Sequence, residues 1–249
     1  GSCVRCRGGL FSACSVTTAG GTRSNVLGFS SALPGGQAEF IHIPFADTNV
    51  FRIPDDVSDE QALFLTDILP TAYMATDFAE VQPGSRVVVF GCGPVGALVQ
   101  RCAQVRGAAQ VIAVDPDEGR LKLAEERGCT VLQPEKENVP ERVFALTGGE
   151  GADSVIEAVG RAELIAQAAL LLRPGGVISV AGVVTSNVEL PWALFLMKNL
   201  SLRGGLVNPQ QYVETLLALI QSGRLDPAEL VTHRMPLSEG PAAYELFAS

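Results

Sequence analysis

The most restrictive feature of this sequence is a regular alternation of short apolar segments with segments of helical spacing. The apolar segments are residues 86–90, 110–115, 130–132, 154–159, 177–181 and 200–207. Strands that are apolar along their whole length are buried on both faces, and helical connections make successive strands parallel. The alternation therefore predicts an α/β fold with a doubly wound, parallel, six-stranded sheet.

Helical spacing between these segments predicts helices at 94–106, 117–127, 139–146 and 162–172, and an amphipathic helix that ends at Gly223. A further helix is expected from Ser58 to Phe78. Before it, glycine and serine pairs such as Gly20-Gly21 and Ser30-Ser31 interrupt short apolar runs. Partial alternation at 38–44 and 49–54 predicts strands of a β-rich unit there.

Composition restricts the class of protein and its partners. Hydrophobic residues make up 47% and charged residues 18% of the 249-residue chain, which predicts a substantial core. The net charge of −9 argues against a nucleic-acid or anionic-membrane partner. No apolar run reaches the roughly 18 residues of a membrane span, and no signal peptide is visible, so we expect a cytoplasmic protein. The first residue is not Met, and we expect a piece of a longer protein.

The six cysteines fall into two groups. Cys3, Cys6 and Cys14 lie close together in a glycine-containing segment, whereas Cys92, Cys102 and Cys129 stand alone in apolar surroundings. An even number is compatible with disulfides, but a chain with a large core rarely depends on them. Clustered cysteines favour a metal site, with three unrelated thiols as the alternative. The isolated cysteines are interpreted as small core side chains.

A glycine motif follows the first predicted strand and opens the next helix. Its residues Gly91, Gly93 and Gly96 have the G-x-G-x-x-G spacing, with Pro94 and Val95 inside it. The first glycine permits a tight turn, the second allows a pyrophosphate to approach the backbone, and the third permits close helix–strand packing. Between a strand and a helix, the motif predicts a dinucleotide-binding loop.

Asp115 ends the second predicted strand, nineteen residues after Gly96. A carboxylate at this place accepts hydrogen bonds from the adenosine ribose hydroxyls and repels a 2′-phosphate, so NAD is favoured over NADP. Arg120 either pairs with the same ribose or lies on a solvated helix face. Methyltransferases that use S-adenosylmethionine share this arrangement, but they place an acid just before the first glycine, where this chain has Val89 and Phe90.

With these motifs the chain resembles the zinc-dependent medium-chain alcohol dehydrogenases. Cys3, Cys6 and Cys14 match the last three cysteines of the family loop C-x2-C-x2-C-x7-C, which holds a structural zinc. The resemblance implies a Rossmann domain at 69–206. It also implies an incomplete GroES-like, β-rich catalytic domain at 1–68 and a return segment at 207–249. The chain looks truncated at both ends, because the family's first two catalytic zinc ligands lie upstream of the cysteine loop and the chain stops at Ser249, short of the family's final strand.

Residues 65–73 resemble the family segment that supplies the third catalytic zinc ligand. Asp67 fits the branch that uses aspartate there, which includes formaldehyde and bacterial secondary alcohol dehydrogenases, and Thr71 matches the residue beside the nicotinamide. Without the family, Asp67 is an acid among apolar residues, and a buried carboxylate has to be paired, bound to metal or used as a helix cap. His42 and His233 match no family ligand.

The resemblance also assigns cofactor contacts at the ends of later strands: Ala158, Val159, Ala181, Gly182, Val183, Gly205 and Val207. It implies an NAD- and zinc-dependent enzyme that acts on a small alcohol or aldehyde as a homodimer or homotetramer. Two alternatives remain open. A zinc-free quinone or enoyl reductase of the same superfamily would lack the cysteine loop and an acid at Asp67, and a non-catalytic NAD-binding subunit would lack the upstream ligands.

Overall fold

The computed structural model describes residues 1–16, 27, 28 and 35–248. The Gly20-Gly21 and Ser30-Ser31 pairs lie outside these residues. No helix in the described ranges is long and apolar enough to cross a membrane.

One parallel sheet of six strands forms the centre of the fold, as predicted. The strands are β1 (Arg86–Phe90), β2 (Gln110–Val114), β3 (Thr130–Leu132), β4 (Ala152–Glu157), β5 (Leu172–Val180) and β6 (Ser201–Gly204). Their order is β3-β2-β1-β4-β5-β6, with parallel pairing throughout. The chain therefore moves outward in one direction from β1 to β3, and from β4 in the other direction to β6.

Helices lie before, between and after the strands. They are α1 (Val4–Arg7), α2 (Ala46–Asn49), α3 (Asp59–Leu63), α4 (Ile68–Phe78), α5 (Pro94–Val105), α6 (Glu118–Glu126), α7 (Val139–Leu146), α8 (Ala162–Leu171), α9 (Trp192–Lys198), α10 (Val213–Gln221) and α11 (Gly240–Ala248). Short 3₁₀ turns occur at Phe11–Ala13, Phe64–Thr66, Pro209–Gln211, Pro227–Leu230 and Leu237–Glu239. Polar side chains begin several of the helices, and Ser58 forms a capping box with Gln61 at α3.

Alternate side chains of β1 enter two separate cores, which shows why the strand is apolar along its length. Val87 and Val89 pack with α4, α5 and α10 on one face of the sheet. Val88 and Phe90 pack with α7 and α8 on the other face. All four side chains are buried, as a doubly covered central strand requires.

Several local predictions differ from the structure. The helix predicted at 58–78 is divided into α3, a 3₁₀ turn and α4. The segments 38–44 and 49–54 form no strand; they are irregular and flank the short helix α2. A strand needs a hydrogen-bonded neighbour, and the described residues outside the central sheet offer none. β6 ends at Gly204 rather than at 207, and α9 was not predicted, because its residues lie mostly on the surface without a polar N-cap.

Candidate active site

The predicted cofactor residues gather at the carboxyl edge of the sheet. Gly91 follows β1, Asp115 follows β2, and Ala158 and Val159 follow β4. Ala181, Gly182 and Val183 follow β5, and Gly205 and Val207 follow β6. The strand order reverses between β1 and β4, and open α/β sheets bind ligands in the crevice outside such a switch point.

Each glycine of the motif occupies a different steric environment. Gly91 has a φ of +95°, and a Cβ atom there would lie 2.8 Å from Val159 Cγ2. A Cβ atom on Gly96 would lie 2.0 Å from the Gly91 carbonyl oxygen. Around a Cβ atom on Gly93, in contrast, no heavy atom of the described residues lies within 4 Å. The loop therefore closes tightly at its two ends and leaves space above its middle glycine.

That space lies at the N-terminus of α5. Gly93 is the N-cap residue, with an extended backbone and no side-chain cap, and Pro94 occupies the first turn. Uncapped N–H groups and the helix dipole together attract an anion. The arrangement suits the pyrophosphate of a dinucleotide, which needs backbone contact and no intervening side chain.

Asp115 is buried and holds the glycine loop. Its Oδ2 atom accepts a hydrogen bond from the Cys92 N–H at 2.7 Å, and its Oδ1 atom accepts one from the Asp117 N–H at 2.9 Å. A carboxylate has about four acceptor positions, so two remain for ribose hydroxyls. Arg120 is exposed in the first turn of α6, where Asp117 caps its N–H at 2.8 Å.

The three isolated cysteines are core side chains, as predicted. Cys92, Cys102 and Cys129 are buried and free. Burial raises the pKa of Cys92 and Cys102 to about 12 and that of Cys129 to about 11. Such thiols stay protonated at neutral pH and are poor nucleophiles. The buried Gln100 side chain donates a hydrogen bond to the Cys92 sulfur at 3.2 Å and so supports the glycine loop from below.

Glu157 ends β4 directly before the predicted cofactor residues, and the role of its side chain was not predicted from the sequence. Its side chain is fully buried at the end of β4, and Oε1 accepts hydrogen bonds from the N–H groups of Val159 and Gly160 at 2.9 and 2.8 Å. A Cβ atom on Gly182 would lie 2.6 Å from Glu157 Oε2. The Glu157 side chain thus fixes the loop after β4, and its backbone carbonyl accepts hydrogen bonds from the Ala181 and Gly182 N–H groups after β5. An acid at the end of an apolar strand was the available signal, because a buried carboxylate needs donors.

Asp67 is exposed rather than buried, which corrects the sequence interpretation. It occupies the N-cap position of α4, but its side chain makes no capping bond to the backbone. Instead, Asp67 Oδ1 accepts a hydrogen bond from the Thr71 hydroxyl at 3.1 Å. The preceding 3₁₀ turn exposes residue 67 while Leu65 and Leu69 enter the core. The helix-cap alternative is therefore not what this geometry shows.

The end of α4 packs against the sheet. Residues 79–85 connect α4 to β1, and the Ser154 hydroxyl donates to the Ala79 carbonyl at 2.6 Å. A Cβ atom on Gly205, after β6, would lie 3.7 Å from the Phe78 ring.

The sulfur atoms of Cys3, Cys6 and Cys14 lie within 4.8 Å of one another, and those of Cys3 and Cys6 are 3.4 Å apart. Tetrahedral zinc with bonds of about 2.3 Å separates its sulfur ligands by about 3.8 Å, so the three donors fit this metal. Hydrogen bonds from Ser15 and from the Cys6 N–H lower the pKa of Cys3 to about 5, whereas burial raises that of Cys6. Within the described ranges this is the one group of three or more metal-ligating side chains.

Comparison with known proteins agrees with this geometry. The family model described as zinc-binding dehydrogenase matches residues 94–222, just over half of the chain. The chain belongs to the zinc-binding dehydrogenase family. The structure of an alcohol dehydrogenase from Thermus sp. ATN1 superimposes with a TM-score of 0.93 at 39% identity, over 100% of this chain and 72% of that one.

Two curated members of the zinc-binding dehydrogenase family show the range of relatives. An alcohol dehydrogenase of Cupriavidus necator is 36% identical over 228 residues, which cover 89% of this chain and 62% of that protein. An NADP-dependent isopropanol dehydrogenase of Thermoanaerobacter brockii is 32% identical over 212 residues, which cover 82% and 60%. The chain thus spans about three fifths of the length of these curated relatives.

Proposed function

We propose that the protein carrying this chain is an NAD-dependent, zinc-containing alcohol dehydrogenase. It would transfer hydride between a small primary or secondary alcohol and the nicotinamide, or reduce the corresponding aldehyde or ketone. The observation that carries the proposal is the open N-terminus of α5 above Gly93, next to the ribose-facing acid Asp115. Membership of the zinc-binding dehydrogenase family supports the reaction class.

The chain's own residues bind and orient the cofactor. The free backbone N–H groups of Gly93, Val95 and Gly96 hold the pyrophosphate, and the free acceptor positions of Asp115 hold the adenosine ribose. Glu157 fixes the backbone of Val159 and Gly160, so the loop after β4 presents a defined edge to the cofactor. Ala158, Ala181, Gly182, Val183, Gly205 and Val207 line the path toward the nicotinamide.

Two metal roles are proposed for different residues. Cys3, Cys6 and Cys14 hold a structural zinc, as their convergent sulfur atoms allow. Asp67 offers one exposed carboxylate to a catalytic zinc, oriented by the Thr71 hydroxyl. When bound, a catalytic zinc supplies Lewis acidity toward the substrate oxygen. The described residues gather no group of three ligands around Asp67, so further ligands are required from elsewhere.

NAD is proposed over NADP because the ribose site is acidic. Asp115 is joined by Asp117 and Glu118 at the start of α6, and a 2′-phosphate would meet like charges there. The isopropanol dehydrogenase named above is NADP-dependent, so the cofactor preference is specific to individual members of the family. We also propose the domain division 1–68, 69–206 and 207–249.

A pair of alanine substitutions in the glycine motif tests the dinucleotide site. Gly93→Ala meets no atom and keeps an ordinary φ of −64°, so the melting temperature should stay unchanged. The added methyl group would occupy the space of the pyrophosphate, and the affinity for NADH should fall at least about tenfold. Fluorescence titration with NADH measures this. Unchanged affinity in the folded variant would exclude a dinucleotide at this loop.

Gly96→Ala is the matched control for steric damage to the fold. Its Cβ atom would meet the Gly91 carbonyl oxygen at 2.0 Å, so this variant should lose stability as well as NADH affinity. The difference between the two variants separates a ligand site from a purely structural glycine turn.

A further inference from the structure

The cysteine loop packs against the segment that follows β6. The Ser12 N–H donates a hydrogen bond of 2.7 Å to Oδ1 of Asn208, a side chain that is only 5% exposed. The Ser12 hydroxyl also lies 3.5 Å from the Leu206 carbonyl oxygen. These contacts join residues that are 196 and 194 positions apart in the sequence.

Ser12 lies inside the span that a metal at the three cysteines would close. Cys6 and Cys14 flank the 3₁₀ turn Phe11–Ala13, which contains Ser12. A metal ion that joins the sulfur atoms would restrict this turn, because it fixes both of its ends. Gly9, in the same span, touches the segment too: a Cβ atom there would lie 2.0 Å from Nε2 of Gln211.

Asn208 connects this turn to the carboxyl edge of the sheet. It directly follows Val207 and lies three residues after Gly205, and its Nδ2 atom donates to the Leu206 carbonyl at 3.4 Å. The buried Asn208 amide therefore accepts a hydrogen bond from the cysteine loop through Oδ1 and donates one to the backbone after β6 through Nδ2. That backbone borders the crevice in which the proposed dinucleotide binds.

We propose that Asn208 couples metal binding at Cys3, Cys6 and Cys14 to dinucleotide binding at the carboxyl edge of the sheet. Metal binding restricts the conformation of the turn around Ser12. Through its hydrogen bond to Ser12, Asn208 then restricts the conformation of residues 205–207, and the cofactor binds to this fixed segment. Asn208 is a positioning residue in this scheme, since it touches neither metal nor substrate. The inference rests on the proposed function, because it needs both ligands to bind.

Coupling between two ligands is reciprocal, which gives a readout separate from turnover. If the metal favours the dinucleotide, the dinucleotide must favour retention of the metal by the same factor. Zinc-bound thiolates are protected from alkylation, so the loop can be followed cysteine by cysteine, independently of any other zinc. Cys102 is fully buried in the core and reports global unfolding in the same sample.

The experiment measures alkylation by N-ethylmaleimide at a fixed chelator concentration, with and without saturating NADH. Mass spectrometry resolves the rate at each cysteine. In the unaltered protein, NADH should slow modification of Cys3, Cys6 and Cys14 by about fivefold or more. In Asn208→Ala this protection should fall to a factor of about one, while Cys102 stays unmodified.

Two further variants separate coupling from general damage. Asn208→Asp keeps an acceptor for the Ser12 N–H and should restore part of the protection. Gln210→Ala removes a bond of 3.0 Å from the same segment to Asn49, not to the cysteine loop, and should leave the protection intact.

Equal protection in Asn208→Ala and in the unaltered protein would overturn the assignment. The assignment would also be overturned if fluorescence showed that NADH binds the unaltered protein but does not slow its alkylation. Failure of NADH to bind at all would instead remove the proposed function, and the coupling with it.

Discussion

Asp67 is an exposed carboxylate at the N-terminus of α4 that makes no hydrogen bond to the helix backbone. Aspartate at a helix N-terminus usually accepts a backbone N–H, but this side chain accepts a hydrogen bond from Thr71 Oγ1. The helix therefore gains no capping hydrogen bond from this carboxylate. A role in stability and a role in metal binding predict different results for the same substitution.

Asp67→Asn should leave the melting temperature unchanged, because no capping bond is lost. A neutral amide is a poor zinc ligand, so turnover should fall by at least about 100-fold. The zinc content should fall from about two ions per subunit to about one, with the cysteine site retained. Titration with NADH should give the same affinity, since Asp115 and the glycine loop are separate from the metal.

The control for this change is Asp59→Asn, an exposed carboxylate in the first turn of α3. It should keep both its turnover and its metal content. Normal turnover and full zinc in Asp67→Asn would exclude Asp67 from the catalytic site.

Asp115 holds the glycine loop through its carboxylate, and we propose that the same carboxylate binds the adenosine ribose. NAD should bind at least tenfold more tightly than NADP, which corresponds to about 1.4 kcal/mol. Asp115→Asn should narrow this gap, because the charge that repels the 2′-phosphate is lost. It should also weaken NAD itself, because an amide cannot accept from Cys92, Asp117 and the ribose together. Parallel titrations with NADH and NADPH measure both effects.

Asp117→Asn is the matched control, because asparagine caps α6 as well as aspartate does. Its cofactor preference should change less than that of Asp115→Asn. A native preference for NADP would contradict the ribose role of Asp115.

Among the elements, the amino ends of three strands meet at Asp153. Its Oδ2 atom accepts from the Arg86 N–H of β1 at 2.7 Å, and its Oδ1 atom accepts from Arg173 Nε of β5 at 2.6 Å. Burial alone would raise the pKa of Asp153, but these donors outweigh burial and lower the pKa below its ordinary value. The ionised form is therefore the one that stabilises the fold.

Asp153→Asn should lower the free energy of unfolding by about 1 to 3 kcal/mol at pH 7, since a charged hydrogen-bond acceptor is lost. A lowered folded-state pKa gives stability that is complete above the unfolded pKa of about 3.9 and is lost as the pH falls through the folded value. Urea unfolding at pH 7 and near pH 3 measures both. A difference between variant and parent that does not shrink in acid would contradict this assignment.

The elements that could be predicted from sequence are strands that are buried along their whole length. β1, β2 and β3 begin where predicted and end within one residue, because buried parallel strands are apolar throughout. In the segments 38–44 and 49–54, apolar and polar residues alternate as in strands, but this pattern does not supply a neighbouring strand for hydrogen bonding. α9 has a largely exposed apolar surface at Trp192, Leu196 and Met197, so its periodicity carried no signal of burial.

Assembly is the prediction that belongs to the whole molecule. All four residues of β6 are exposed, and an open edge strand can pair with another chain. We expect a dimer, or a dimer of dimers, joined at this edge. Leu202→Lys should shift the mass measured by light scattering toward the monomer, whereas Leu123→Lys on α6 should not. A monodisperse monomer of the unaltered protein would exclude this assembly.

The site as a whole could be predicted in part. The glycine motif and the acid after β2 have fixed spacing in the sequence, and so do the three cysteines. The positions of Glu157 and Asn208 could not be predicted, because their partners depend on how strands and loops far apart in sequence come together. The cofactor and metal roles of all these residues stay predictions until they are measured.

The contact between Ser12 and Asn208 can form only after most of this chain has been synthesised. The ribosome finishes the cysteine loop early, but Asn208 is added 196 residues after Ser12. Synthesis at roughly 5 to 20 residues per second leaves the loop without its docking partner for about 10 to 40 s. During this interval the three thiols can react with oxidants or bind metal ions before the turn that contains Ser12 packs against Asn208.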